Sequence, residues 1–188
     1  MGKYTAIDDP SAYFQTAIWT GNGGSDRAIV NDGNSDMQPD WVWYKSRSHA
    51  TSHITYDSSR GDGPYLKPSD TGDEGTDANM FESFDSDGFS LNGDTDGNGS
   101  GRTYVAWQWK ANGGTTASNS SGSVTSTTQV NSDAGFSIVT FESASSGNFS
   151  VGHGLGVQPA MIITKNREGT SQWYTWHQHL TGGTGNTS

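Results

Sequence analysis

The sequence predicts an all-β chain: an antiparallel β-sandwich followed by the start of a second, related β module. Hydrophobic residues make up only 30% of the 188 residues, but aromatic residues reach 11%. Large rings would therefore supply much of the buried surface. Short segments of alternating pattern lie between Gly- and Asp-rich turns at spacings of roughly 8–12 residues, which is typical of a sandwich. A long stretch of the sequence also occurs twice.

Residues 36–57 (DMQPDWVWYKSRSHATSHITYD) resemble residues 156–177 (GVQPAMIITKNREGTSQWYTWH). Gln-Pro, Lys and Arg recur at matching places, with an offset of 120 residues. An upstream segment, 13–24, has a weaker counterpart at 135–147. A period of this length indicates duplicated domains and not a solenoid of short repeats. We therefore expect one complete module and the first half of another.

These patterns divide the chain into four parts. Residues 1–12 would form an N-terminal arm, and residues 13–112 the β-sandwich module. Residues 113–133 are almost entirely Gly, Ser, Thr, Asn and Ala, which predicts a flexible or loosely extended linker. Residues 134–188 would form the first half of the second module.

Within the first module, strand predictions follow from local alternation. FQTAIWT (14–20) ends at a Gly-rich turn, and DRAIVND (26–32) is a short strand candidate. DWVWYKSR (40–47) gives the clearest pattern, because its alternate residues fall on two faces. One face carries Trp41, Trp43 and Lys45, and the other carries Val42, Tyr44 and Ser46.

The later strands of the first module are marked by turn residues. SHITYDSSRG (52–61) leaves a strand for a turn, and Asp87-Gly88 between apolar residues predicts a turn or bulge. YVAWQWK (104–110) places Trp107 and Trp109 on one face, which we expect to face the core.

Charge and composition exclude several function classes. The net charge is −10, which argues against nucleic acid and against anionic membranes as partners. Without Cys, thiolate catalysis and cysteine zinc sites are excluded. No apolar run approaches the roughly 20 residues that span a bilayer, so we expect no membrane insertion. No nucleophile elbow or phosphate-binding loop is present, which favours a protein that is not an enzyme.

The ordered set PDWVWYKSRS, HITYDSSRG, FDSDGFSL and YVAWQWKANGG resembles uncharacterised lectin-like modules of marine bacteriophage structural proteins. The later segments GFSIVTFE, VGHGLGVQPAMIITKNR and WYTWH resemble the module that follows in the same proteins. The resemblance covers residues 13–113 and 135–180. It implies a concanavalin-like jelly-roll sandwich carried on a virion appendage such as a tail fibre, or on a capsid decoration, and no catalytic residues.

Acidic turns raise the question of calcium. Hard oxygen ligands recur at spacings of two, which suits a loop folded around one cation. The candidate calcium ligands are Asp85, Asp87, Asn92, Asp94 and Asp96. The stretch from Asn92 mimics the start of an EF-hand loop, but Thr103 stands where a bidentate Glu is required. A solvated turn is therefore the competing interpretation, and no other cofactor is expected.

The polar loops also contain candidate carbohydrate ligands. Exposed rings stack on sugars and carboxylates accept hydrogen bonds from sugar hydroxyls. The candidate glycan-binding residues are Tyr65, Asp70, Asp73, Asp77 and Asp94. The tryptophans of the predicted strands have two interpretations, as core residues or as sugar platforms.

Two main hypotheses follow. The first is a non-enzymatic virion structural protein on the particle surface, with other virion proteins as partners and a homo-oligomeric state expected by analogy. The second is an adhesin for host-surface glycans. A capsid decoration protein is a third alternative.

Overall fold

The computed structural model of the protein describes residues 7–180. Residues 1–6 of the predicted arm and residues 181–188 of the predicted second module lie outside this range. The described regular structure is one 3₁₀ turn, Pro10–Ala12, and the following strands: β1 (Phe14–Thr20), β2 (Arg27–Val30), β3 (Trp41–Ser46), β4 (Ile54–Asp57), β5 (Gly61–Leu66), β6 (Gly75–Thr76), β7 (Phe81–Asp85), β8 (Gly88–Leu91), β9 (Thr103–Trp109), β10 (Ala117–Asn119), β11 (Ser126–Asn131), β12 (Phe136–Phe141), β13 (Met161–Thr164) and β14 (Tyr174–His177). Within the described range, no helix is long and apolar enough to cross a bilayer.

Two antiparallel sheets build the first copy of the repeat, which we define as residues 13–112. The larger sheet has the order β1-β9-β3-β4-β5-β6, and the smaller has the order β2-β8-β7. One buried cluster draws on both sheets: Trp19, Ile29, Val42, Tyr44, Ile54, Tyr56, Met80, Phe81, Phe89, Leu91, Tyr104 and Ala106. The all-β prediction is confirmed, and this arrangement is consistent with the predicted β-sandwich.

Aromatic rings fill the space between these sheets, as the composition predicts. The Phe81 ring stacks on Tyr56 with centroids 4.5 Å apart and on Phe89 at 5.8 Å. Trp19 stacks on Tyr104 at 5.3 Å, and its indole N–H donates to the Gly97 carbonyl. The core therefore depends on ring contacts that extend from β1 to β8.

The face assignment of β3 is confirmed, but that of β9 is wrong. Val42 and Tyr44 are fully buried in the core. Antiparallel pairing sets Trp107 of β9 opposite Trp43 and Trp109 opposite Trp41, so Trp107 and Trp109 lie on the outer face. The core positions of β9 are instead Tyr104, Ala106 and Gln108. Register with the central strand β3 thus decides the face, and hydrophobicity alone indicates the wrong one.

Residues 113–133 are not the flexible linker that their composition predicts. They contain β10 and β11, which form a three-stranded sheet with β12. Ser126, Thr128 and Gln129 of β11 are buried. Their side chains form hydrogen bonds, for example from Ser126 Oγ to the Gly152 carbonyl at 2.7 Å. A chain of Ser and Thr is ordered here because its polar groups find partners within the protein.

The repeat in the sequence is a repeat in the structure. The β3–β4 and β13–β14 hairpins have the same register: Trp41 lies opposite Asp57, and Met161 lies opposite His177. All four pairs of the second hairpin match pairs of the first at an offset of 120 residues. We call residues 134–180 the second copy.

Candidate functional site: the contact between the two copies

An ion-paired cluster joins the two copies of the repeat. Glu74, just before β6, accepts hydrogen bonds from the guanidinium groups of Arg60 in the first copy and Arg167 in the second. Arg167 binds both carboxylate oxygens, with Nε–Oε2 at 2.7 Å and Nη2–Oε1 at 2.8 Å. The Arg60 side chain is only 4% exposed and also pairs with Asp57. A bidentate Arg–carboxylate pair of this kind fixes orientation as well as supplying energy.

Backbone groups extend this contact along the loop of residues 67–76. The Glu74 N–H donates to the Arg167 carbonyl and the Ser171 N–H donates to the Thr71 carbonyl, both at 2.9 Å. Lys165 Nζ reaches the Thr71 carbonyl as well, at 3.3 Å. The loop therefore enters the mouth of the β13–β14 hairpin, which we define as residues 165–173.

Trp173 closes the other side of this hairpin mouth. Its indole N–H lies 3.0 Å from the Lys67 carbonyl and 3.1 Å from the Asp70 carbonyl. Its ring is half-buried. The hairpin mouth thus recognises loop 67–76 mainly through carbonyl oxygens and one carboxylate, chemistry that suits an acidic, Gly-rich turn.

A second hydrogen-bond network anchors β11 to the first copy. Asp40 is fully buried and accepts from Ser58 Oγ and from the backbone N–H groups of residues 111, 113 and 114 at 2.6–2.9 Å. Gln129 of β11 donates to Ser58 and Ser59 and accepts from the N–H groups of residues 112 and 114. A buried carboxylate and a buried amide, each saturated with partners, hold the chain where it leaves β9.

Aromatic packing adds a third contact on the outer face of the large sheet. Phe136, at the start of β12, stacks on Trp41 with ring centroids 6.0 Å apart and on Trp109 at 6.5 Å. The second copy therefore covers part of the tryptophan face. Trp43 and Trp107 lie farther along this face and remain half-buried.

The charge of Glu74 depends on these arginines. Burial raises the pKa of its carboxyl, but the hydrogen bonds from Arg167 and Arg60 outweigh burial and hold the pKa below its ordinary value of 4.5. The same contact raises the pKa of Arg167. Because the folded-state pKa is the lower one, this stabilisation is complete above the unfolded-state pKa and is lost as pH falls through the folded value.

Replacing Glu74 by Gln is expected to lower the free energy of unfolding at pH 7 by about 1.5–3 kcal/mol, the worth of hydrogen bonds to charged groups. The deficit of the variant should shrink as pH falls below about 4.5. Denaturant unfolding at pH 7 and pH 3.5 measures both effects. Glu168→Gln is the matched control, because Glu168 is exposed beside the same arginine. An equal deficit for Glu74→Gln at both pH values would contradict the assignment.

The structure divides the candidate glycan-binding residues between several turns. Tyr65 is half-buried, with Lys67 Nζ 5.4 Å from its ring centroid and the Gly75 backbone against its tip. Asp70 and Asp73 lie in loop 67–76, where the Asp70 carboxylate accepts the Gly72 N–H. The remaining two, Asp77 and Asp94, lie in neighbouring turns, which are joined by a hydrogen bond from the residue 94 N–H to the residue 79 carbonyl. Most of these groups serve their own turns.

The candidate calcium ligands are likewise distributed. Asp85 accepts from Ser83 and Ser90 within the β7–β8 hairpin, and Asp87 accepts the Met37 N–H. Across residues 7–180, no group of three or more His, Asp or Glu side chains is arranged to hold a metal ion.

The remaining candidate calcium ligands lie in the turns after β8. Asn92 donates to the Ala78 carbonyl and to Glu82. Burial and neighbouring Asp94 raise the pKa of Asp96. Calcium binding stays a prediction, which thermal unfolding with and without millimolar calcium checks.

Sequence reasoning missed the residues that join the first copy to β11 and to the second copy. No local pattern marks Asp40, Glu74 or Gln129. Asp40 stands at the edge of a predicted strand, Glu74 in a polar loop and Gln129 in the predicted linker. A signal for Lys165 and Arg167 was present, because both recur in the repeat at Lys45 and Arg47.

Comparison with known proteins identifies the family of the chain. No curated protein and no solved structure shows significant similarity to the chain. A family model described as "Domain of unknown function (DUF7483)" matches residues 9–187 and so spans both copies and the segment between them. The chain therefore belongs to the DUF7483 family of domains of unknown function.

Proposed function

We propose that this protein is a non-enzymatic structural component of a bacteriophage virion, a lectin-like module of a tail fibre or appendage through which subunits assemble. The observation that carries the proposal is the contact between the copies. An ion-paired carboxylate and stacked rings hold the second copy on the first, and a buried amide holds the intervening strand β11 there. Such contacts suit a structural subunit that must stay rigid between neighbouring subunits.

An exposed apolar face on the second copy also supports assembly. Ile162 is 43% exposed and Trp176 is 39% exposed, whereas their counterparts in the first copy, Val42 and Tyr56, are fully buried. Exposed large hydrophobic side chains on one face are characteristic of surfaces that receive a partner. In the proposal the partners are other virion proteins and further copies of this chain, on the particle surface, and the sandwich is of the jelly-roll, concanavalin-like type.

Labelling of intact particles tests this proposal. An antibody against the protein, detected by gold label or as added density in electron micrographs, should mark the tail or its fibres on purified virions. Label on the head would favour the capsid decoration alternative. Absence of the protein from purified particles, measured by mass spectrometry, would contradict a virion role altogether.

A second candidate function, binding of host-surface glycans, is favoured by one observation. The half-buried indoles of Trp43 and Trp107 lie edge-to-face, with centroids 6.3 Å apart, on the part of the outer face that Phe136 does not reach. A partly exposed aromatic face is a stacking platform for a sugar ring. Trp43 Nε1 is held by His53 Nδ1 at 2.9 Å, which fixes the ring.

Binding to a glycan array separates the two functions. The adhesin hypothesis expects binding that Trp107→Ala removes. Tyr65→Ala is the matched control and should leave binding intact, because Lys67 and Gly75 already lie against the Tyr65 ring. Loss of glycan binding in Tyr65→Ala but not in Trp107→Ala would instead place the glycan site at Tyr65 and the neighbouring loop 67–76. No binding by the wild-type protein would leave assembly as the function.

A further inference from the structure

The duplicated hairpins use their lysines in the same way. Lys165 Nζ donates to the carbonyls of residues 166 and 169, at 2.8 and 3.5 Å. Lys45 Nζ donates to the carbonyls of residues 46 and 49, at 2.6 and 3.2 Å. The acceptors are one and four residues beyond the lysine in both copies. Together with the identical strand register, this gives both hairpins the same mouth.

Loop 67–76 fills the mouth of the second hairpin. The first mouth is bordered at one side by Thr103, whose N–H donates to Ser48 Oγ, and at its end by Ser69, whose Oγ accepts the His53 N–H, but its arginine side chain is unpaired among the described residues. In the second copy, the carbonyl and the guanidinium of Arg167 both bind Glu74. The counterpart, Arg47, is exposed, and its N–H donates to Thr103. Within residues 7–180, its guanidinium and its carbonyl have no hydrogen-bonding partner. The first copy thus exposes at Arg47 the guanidinium and the carbonyl with which Arg167 captures Glu74 in the second copy.

We infer that the mouth of the β3–β4 hairpin, residues 45–53, is a docking surface for an acidic turn of another module of this kind, one that presents carbonyls and a carboxylate as residues 67–76 do. Lys45 and Arg47 would take the roles of Lys165 and Arg167. The inference rests on the proposed assembly function and names its contact: modules would join head to tail, each hairpin mouth receiving the loop of its neighbour.

Charge complementarity favours an acidic turn as the partner of this hairpin mouth. The chain carries a net charge of −10, and Lys45 and Arg47 form a basic spot on it. Loop 67–76 contains Asp70, Asp73 and Glu74. An acidic turn therefore meets complementary charge at the mouth and repulsion over much of the remaining surface.

A cyclic peptide of residues 66–77 (LKPSDTGDEGTD) tests the inference on the full-length ¹⁵N-labelled protein. Titration should produce saturable chemical-shift changes in the amides of residues 45–53. Arg47→Glu should weaken binding by at least about ten-fold, since it removes hydrogen bonds to a charged group. The matched control Lys110→Glu, a charge reversal elsewhere on the first copy, should bind like wild type.

A peptide carrying Glu74→Lys completes the design and should not bind residues 45–53. Unchanged spectra at residues 45–53 with the wild-type peptide would overturn the inference, as would equal binding by Arg47→Glu. Shifts confined to residues 165–173 would also overturn it, because they would show exchange with the internal loop only. Any of these three results would leave the virion role open, since particle labelling tests that role separately.

Discussion

Replacing Phe89 by Ala is expected to destabilise the protein by about 3–5 kcal/mol, as for other buried Phe residues truncated in a core. Phe89 is fully buried on β8 and contacts Phe81 at 5.8 Å in stacked geometry and Trp19 at 5.8 Å edge-on. Its removal would leave a cavity between the two sheets that the surrounding rings cannot close. Equilibrium denaturant unfolding measures the change.

Phe149→Ala is the matched control for Phe89→Ala. Phe149 is 39% exposed, and its ring contacts Phe141 at 5.9 Å in the second copy. The control should cost less than about 1.5 kcal/mol, because Phe149 is already partly exposed to water in the folded protein. Similar losses for the two variants would show that the sheets do not enclose a core at Phe89.

Replacing Asp40 by Ala should destabilise by at least about 3 kcal/mol, since each buried donor left without a partner costs about 1–3 kcal/mol. Three backbone N–H groups and the Ser58 hydroxyl lose their acceptor in this variant. Amide hydrogen exchange should also increase at residues 111–114 and along β11, because Gln129 relies on the same Ser58.

Asp133→Ala is the control for the Asp40 substitution. Asp133 is exposed in the turn between β11 and β12, and its loss should change stability by less than about 0.5 kcal/mol. Asp40→Asn keeps the shape of the side chain but removes its charge, so we expect an intermediate loss. Wild-type stability in Asp40→Ala would show that this carboxylate does not organise the junction.

Local patterns were sufficient to predict several strands and turns of the first copy. Alternation in 41–46 gave the correct faces, and Asp87-Gly88 marked a turn where Gly88 has a φ of 103°, which favours glycine. The internal repeat predicted that residues 156–177 would share the pattern of residues 36–57, and β13–β14 has the register of β3–β4. These features depend on neighbours in sequence, which a single chain displays.

Features that depend on distant neighbours could not be predicted. Trp107 and Trp109 are hydrophobic enough for a core, but pairing with β3 places them on the outer face. Segment 113–133 has a linker composition, yet Gln129 is ordered by partners about 70 residues away in sequence. The role of Glu74 could not be predicted either, because it depends on ion pairs with Arg60 and Arg167, which are distant in sequence. Polar residues are informative here only once their partners are known.

One measurement tests most directly the claim that the two copies are held together as a fixed unit. Backbone ¹⁵N relaxation gives the rotational correlation time of each part of the chain in solution. The contacts at Glu74, Asp40 and Phe136 predict the same correlation time for residues 14–109 and for residues 126–177. A distinctly shorter correlation time for the second copy would contradict the account, because it would mean that the copies move independently.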